Sequence, residues 1–190
     1  MPFTFDTTGF DGLVQIQPRR FDDDRGWFFE SYRHSEFADA GIDVAFVQDN
    51  HSCSQVGTLR GLHYQLDPHA QGKLVRVISG CVFDVAVDIR RRSDTFGHWF
   101  GMNISAAGGE MLWIAPGFAH GFLALEENTQ LVYKCTAEYN KASERAIKWD
   151  DSAIGIEWPA INGAGYLLSA KDETAPLLRD AEVFEAVKGN

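Results

Sequence analysis

Cys81–Ile89 reads CVFDVAVDI. Phe83, Val85, Val87 and Ile89 share one parity; Val82, Asp84, Ala86 and Asp88 share the other. Successive side chains of a strand point to opposite faces, so one face is wholly apolar and the other is free to meet water or a polar cavity. Ser79-Gly80 separates this strand from an equally β-rich run, Lys73–Ser79. Further runs of β-branched and aromatic residues lie on both sides: Gly12–Gln17, Gly26–Arg33, Val44–Ser54, Thr58–Gln65, His98–Ser105, Met111–Ala115, Gly121–Glu126 and Gln130–Tyr139. Short turns divide them, with no helical period between, which predicts an all-β sandwich or barrel rather than a parallel α/β sheet. Two short helices are expected. One is Ser35–Ala40, capped by Ser35 and ended by Gly41. The other is the tail Ala175–Val187, where Pro176 suits a first turn and Leu177, Leu178, Ala181, Phe184 and Val187 form a stripe.

The chain has 190 residues, 45% of them hydrophobic, which suffices for a real core and predicts a single domain over 1–190. Net charge is −10, with no basic block, so nucleic acid is a poor partner. No run approaches the roughly 20 apolar residues of a membrane helix, and the N-terminus shows no secretory signal. Cys53, Cys81 and Cys135 are widely spaced and odd in number. They read as reduced thiols of a cytoplasmic protein.

Chemistry-bearing residues concentrate in GTLRGLHYQLDPHAQGK, Gly57 to Lys73. Arg60, His63, Tyr64, Gln65, His69, Gln71 and Lys73 are more polar groups than a half-buried structural strand needs, which suggests a strand lining a polar cavity. Arg60 and His63 have opposite parity, but a bulge at Gly61 would turn both inward. The plainer alternative is a hydrogen-bonded core histidine beside a surface arginine. In WIAPGFAHGF, Pro116-Gly117 turns the chain ahead of His120; an aromatic hairpin corner is the alternative there. Tyr133 either packs as a hydrophobe or delivers a proton. Gln48-Asp49-Asn50 suits sugar hydroxyls or a pyrophosphate. A metal site on such a barrel calls for HxH with a nearby Glu; Gln65 stands where the second His belongs, and Lys73 would repel a cation.

The segments DRGWFFESY, FVQDNHSCS, GTLRGLHYQ, AQGKLVRVISGCVFDVAVDIR, TFGHW, WIAPGFAHGF, VYKCTAEY, IKWDD, IEWP and LSAKD run in order from Asp24 to Asp172. Together they resemble the dTDP-4-dehydrorhamnose 3,5-epimerase family over nearly the whole chain. The resemblance implies a cupin-type jelly-roll barrel, a homodimer, and no cofactor or metal. It implies His63 as general base paired with Asp172, Tyr133 as proton donor, and Lys73 near the developing enolate oxygen. It places Arg60 and His120 on substrate and phosphate, and Tyr139 against the thymine ring. Arg25, Glu30, Gln48, Asn50, Glu144 and Lys171 match positions around the nucleotide sugar. The implied substrate is a dTDP-4-keto-6-deoxyhexose, whose C3 and C5 protons both lie α to the C4 ketone. The readings set against this one are a single-carbon epimerase, a metal-dependent cupin and a non-catalytic sugar-nucleotide binding module.

Overall fold

The computed structural model describes residues 2–161 and 165–185. Its strands are β1 Phe3–Thr7, β2 Leu13–Pro18, β3 Phe21–Asp23, β4 Gly26–Phe28, β5 Gln48–Ser54, β6 Leu59–Gln65, β7 Lys73–Ser79, β8 Cys81–Asp88, β9 Trp99–Ser105, β10 Met111–Ile114, β11 Phe118–Ala124, β12 Thr129–Cys135 and β13 Glu144–Ala146. Two sheets face each other, in the orders β1-β2-β10-β7-β12-β5 and β13-β6-β11-β8-β9; β3 and β4 form a separate hairpin. Every pairing between these strands is antiparallel. The fold is mostly β and cupin-like, a jelly roll of two layers.

The apolar alternation builds three layers. Between the sheets, Val75, Val77, Leu112, Ile114 and Leu131 meet Val82, Ala86, Ile104, Phe118 and Phe122. Each of these Val, Leu, Ile and Phe side chains contributes roughly 1.5–3 kcal/mol by leaving water. The wholly apolar parity of β8 faces the other way: Val85, Val87 and Ile89 pack under Ile147, Ile154, Leu178, Ala181 and Phe184 from the C-terminal third. On the outer face of the larger sheet, Phe3, Ile16, Leu74, Met111 and Trp113 pack under Phe37 and Ile42. Val82 and Ala86 of the mixed parity of β8 therefore point between the sheets, and that interior turns polar at one end.

The tail corrects the sequence expectation. Among its described residues only Leu178–Asp180 makes a helical turn, and it is a 3-10 turn. Phe184 N–H then donates to Ile89 C=O at 3.2 Å, and Arg91 N–H donates to Phe184 C=O at 2.9 Å. The tail's apolar residues are buried against Val85, Val87 and Ile89, and Phe184 pairs its backbone with the chain just past the end of β8, without a helix. Val187 lies outside the described residues. The first helix, α1, is His34–Asp39, and Ser35 does not cap it: Arg33 holds the N-cap position with no side-chain cap. Gly41 does end it, with φ +88°, and Ile42 N–H closes back on Phe37 C=O. β4 stops at Phe28, β5 starts at Gln48 and β12 stops at Cys135, all shorter than the sequence runs; β11 starts earlier, at Phe118. Strands β1, β3 and β13 were not among the expected runs. Among the described residues no helix is long and apolar enough to cross a membrane.

Candidate active site

The polar end of the interior opens as a cavity of about 700 Å³. Its position depends on one irregularity in β6. His63 pairs with His120 of β11, but Arg60 pairs with Phe122, so β6 carries one residue more than its partner. This is a bulge, and it brings Arg60 and His63 to the same cavity despite their opposite parity. Gly61 permits it, at φ +141°; a Cβ there would sit 2.5 Å from Gly121 Cα.

His63 Nε2 lies 2.6 Å from Asp172 Oδ1. Asp172 is buried on α2, Ala170–Glu173, whose N-cap is Ser169. The Ser169 hydroxyl accepts from Asp172 N–H at 3.2 Å and donates to Asp172 Oδ2 at 2.8 Å. Burial pushes the Asp172 carboxyl up, but the hydrogen bond and charge of His63, with the bond from Ser169, outweigh it and hold it below the usual carboxylate range. An ionised carboxylate only accepts, so Nε2 carries the proton and Nδ1 is the nitrogen left for the cavity.

Around this pair stand Lys73 from β7 and Tyr133 from β12. Lys73 is buried, and its ammonium donates to His63 C=O at 3.3 Å. Burial pulls the lysine down from its ordinary range, against the opposing influence of Cys135, Asp84 and Glu144. Burial pushes the Tyr133 phenol up, so it keeps its proton through neutral pH. Gln48, Asn50, Arg60, His120, Tyr139 and Glu144 complete the lining among the expected residues. Gln48 Oε1 accepts from Tyr139 N–H at 2.7 Å, and Gln48 Nε2 donates to Asn50 Oδ1 at 3.0 Å. Tyr139 is exposed at the mouth, its hydroxyl 3.1 Å from Glu144 Oε2. Lys171 reaches the rim through a 2.5 Å ion pair with Glu144.

Arg25 and Glu30 are not brought to the cavity of their own chain. Arg25 sits on the β3–β4 hairpin with its side chain 89% exposed, paired with Asp23 at 2.6 Å. Glu30 pairs with Arg33. Gln65 is fully engaged by backbone, donating to His69 and Glu138 carbonyls and accepting from Asn140 N–H. Among the described residues no three His, Cys, Asp or Glu side chains stand close enough to share a metal ion. Two groups escaped the sequence reading. Ser169 holds Asp172, and its S-x-x-D spacing ahead of the acid is a capping signal that was open to view. Asp84 holds His120, with both carboxylate oxygens within 3.0 Å of His120 Nε2; its place on the polar parity of β8 was the available hint.

A histidine base, a protonated phenol and a buried ammonium around one cavity can remove and return a carbon-bound proton next to a carbonyl. The family model described as dTDP-4-dehydrorhamnose 3,5-epimerase matches residues 7–180. The chain belongs to that family. It is an isomerase. A Shigella flexneri dTDP-4-dehydrorhamnose 3,5-epimerase is 53% identical over 173 residues, covering 90% of this chain and 94% of the relative. One from Salmonella typhimurium is 51% identical over 179 residues, 94% of this chain and 97% of the relative. The crystal structure of the Legionella pneumophila 3,5-epimerase in complex with dTDP-4-keto-L-rhamnose superposes with a TM-score of 0.89 at 45% identity, covering 94% of each chain. The cavity described above lies on a fold shared with the Legionella enzyme over 94% of the chain.

Proposed function

We propose that this epimerase inverts C3 and C5 of dTDP-4-dehydro-6-deoxy-D-glucose to give dTDP-4-dehydro-L-rhamnose. The observation that carries the reading is His63, tethered at Nε2 by Asp172, with Nδ1 free toward a cavity that also holds Lys73 and Tyr133. His63 takes the proton α to the C4 ketone, and Asp172 stabilises the imidazolium that results. Lys73 offers positive charge to the oxygen that becomes an enolate, a charge absent from the ground state. Tyr133 returns a proton to the opposite ring face, which inverts the carbon. Arg60 and His120 hold the diphosphate end, and Tyr139 stacks on the base. Gln48, Asn50, Glu144 and Lys171 bound the sugar and nucleotide. These cations let a chain of net charge −10 bind an anionic substrate.

The active form is a homodimer. Phe21, Trp27 and Phe28 are all exposed on the hairpin that carries Arg25, an apolar surface that a second copy would cover. Arg25 and Glu30, remote from their own cavity, contact the nucleotide of the partner subunit in such a dimer. Cys53, Cys81 and Cys135 are all free thiols, as suits the cytoplasm.

The division of labour is tested in D2O with two variants. Tyr133→Phe exchanges substrate protons for deuterium without inverting the carbon; His63→Ala does neither. Inversion by Tyr133→Phe at the wild-type rate would contradict the assignment.

A further inference from the structure

β8 buries two carboxylates on its inward parity, Asp84 and Asp88, both without solvent exposure. Their surroundings differ. Asp88 accepts from the Arg90 guanidinium twice, from Arg90 N–H, and from the hydroxyls of Ser93 and Thr95. Such saturation accounts for a buried charge on structural grounds. Among the described residues Asp84 has a single hydrogen-bonding partner: its Oδ1 and Oδ2 lie 3.0 and 2.9 Å from His120 Nε2. A buried carboxylate served by one group is costly to keep, so its placement calls for a role beyond packing.

His120 supplies the context. It stands directly opposite His63 in the β6–β11 register, and both imidazoles line the same cavity. Each is held at Nε2 by a carboxylate, His63 by Asp172 and His120 by Asp84. The pairs differ in access. The His63 side chain is 32% exposed, whereas that of His120 is 7% exposed over a fully buried Asp84. The accessible pair is suited to exchanging protons. The enclosed pair, with an anion beneath it, is suited to holding one.

We propose that Asp84 is a positioning residue that keeps His120 as a fixed imidazolium, with Nε2–H on Asp84 and Nδ1–H offered to an anionic oxygen of the substrate. The substrate part of this inference rests on the proposed reaction; the charge state of His120 does not. The proposed reaction puts a phosphate oxygen on Nδ1–H; the C4 oxygen of the enolate has the same acceptor chemistry, and the test below separates the two. The other charged and titratable groups around the cavity are Arg60, His63 and Tyr64 of β6, Lys73 of β7, Tyr133 and Cys135 of β12, Tyr139, Glu144 of β13 and Asp172 of α2. Glu144 and Asp172 answer Lys171 and His63; Asp84 is the carboxylate in direct contact with His120 and the one that offsets a positive charge on its ring.

The ring nitrogens of His120 report the charge state directly. In 15N-labelled protein, the His120 signals are assigned by their loss in His120→Asn. The wild type shows both nitrogens protonated from pH 6 to 8. Asp84→Asn, nearly isosteric, shows one protonated nitrogen over the same range, and kcat/KM falls about 10- to 100-fold, the scale of one charge-assisted hydrogen bond. A phosphate contact shows mainly as raised KM, and also as weaker dTDP binding; an enolate contact shows mainly as lowered kcat with dTDP binding intact. A neutral His120 in the wild-type spectrum overturns the proposal even if Asp84→Asn does not fold. So does a folded Asp84→Asn with unchanged ring signals and unchanged kcat/KM. If the wild type does not turn over dTDP-4-dehydro-6-deoxy-D-glucose, the proposed reaction fails, and the ring signals still decide the charge state.

Discussion

Replacing Asp172 by Asn removes a charge while keeping the shape of the side chain. Asp172 is buried, and its Oδ1 lies 2.6 Å from His63 Nε2. Ser169 meets the other oxygen at 2.8 Å and caps α2 through Asp172 N–H. An amide can occupy the same place, because its oxygen can still accept from His63 and its NH2 can turn to the Ser169 hydroxyl. The helix cap and its contribution of about 1 kcal/mol therefore survive. The charge does not. A hydrogen bond to a charged partner contributes about 1.5–3 kcal/mol, and that stabilisation grows as His63 takes up the substrate proton. The barrier should rise by this amount, a fall of roughly 10- to 150-fold in the rate of C–H cleavage. Loss is greater if the amide turns its NH2 to Nε2, since the ring proton then moves to Nδ1 and blocks the base. The assay is substrate proton loss in D2O at saturating substrate, followed by NMR, with dTDP affinity measured alongside. The affinity should hold while the rate falls. A rate within about threefold of wild type would refute the claim that Asp172 serves the histidine by its charge. The same residue has a signature in acid. Its carboxyl is depressed on folding, so its stabilisation is complete above the ordinary carboxyl pKa of about 4 and is lost as pH falls through the lowered value. Asp172→Asn lacks that acid-side loss in urea titrations.

Gly61→Ala places a methyl 2.5 Å from the backbone of Gly121 and a side chain at φ +141°, so it should cost about 3 kcal/mol or more. Calorimetry should find the melting point lowered by roughly 6–12 °C, and activity should fall because Arg60 and His63 lose their common side. A melting point near that of the wild type would count against the bulge. Tyr64 is buried, and burial pushes its phenol up to about 12, with the Arg145 charge opposing the shift and the smaller effect of Glu182 adding to it. The neutral form is favoured by folding, so its stabilisation is present below pH 10 and lost between pH 10 and about 12, by about 2–3 kcal/mol. Tyr64→Phe removes that alkaline slope; the same slope in both proteins would place its origin elsewhere.

Alternation made the two-layer fold legible. Val82 to Ile89 assigns one face to apolar packing and the other to a mixed interior, and the structure does just that. The glycine in LRGLH was enough to raise a bulge, since residues with a side chain are strained in the conformation found at Gly61. The tail misled because Leu178, Ala181 and Phe184 satisfy helical spacing equally well when a bent segment lies along a strand. No local pattern separates the two, and the deciding contacts with Ile89 and Arg91 are some 90 residues away. Asp172 is out of reach of spacing for the same reason, 109 residues from His63. It was reachable only through the resemblance. Arg25 and Glu30 were legible as substrate contacts only by the same route, and a single chain leaves them away from its own cavity.

The central claim is that this cavity labilises the protons on both carbons flanking a ketone. The most direct measurement incubates dTDP-4-dehydro-6-deoxy-D-glucose with the wild-type protein in D2O, with His63→Ala as the control for spontaneous exchange. Mass spectrometry and proton NMR then follow C3 and C5. The account predicts enzyme-dependent deuterium at both carbons and formation of the L-rhamno product. Deuterium at one carbon alone would make the protein a single-carbon epimerase, and exchange no faster than in His63→Ala would contradict the account.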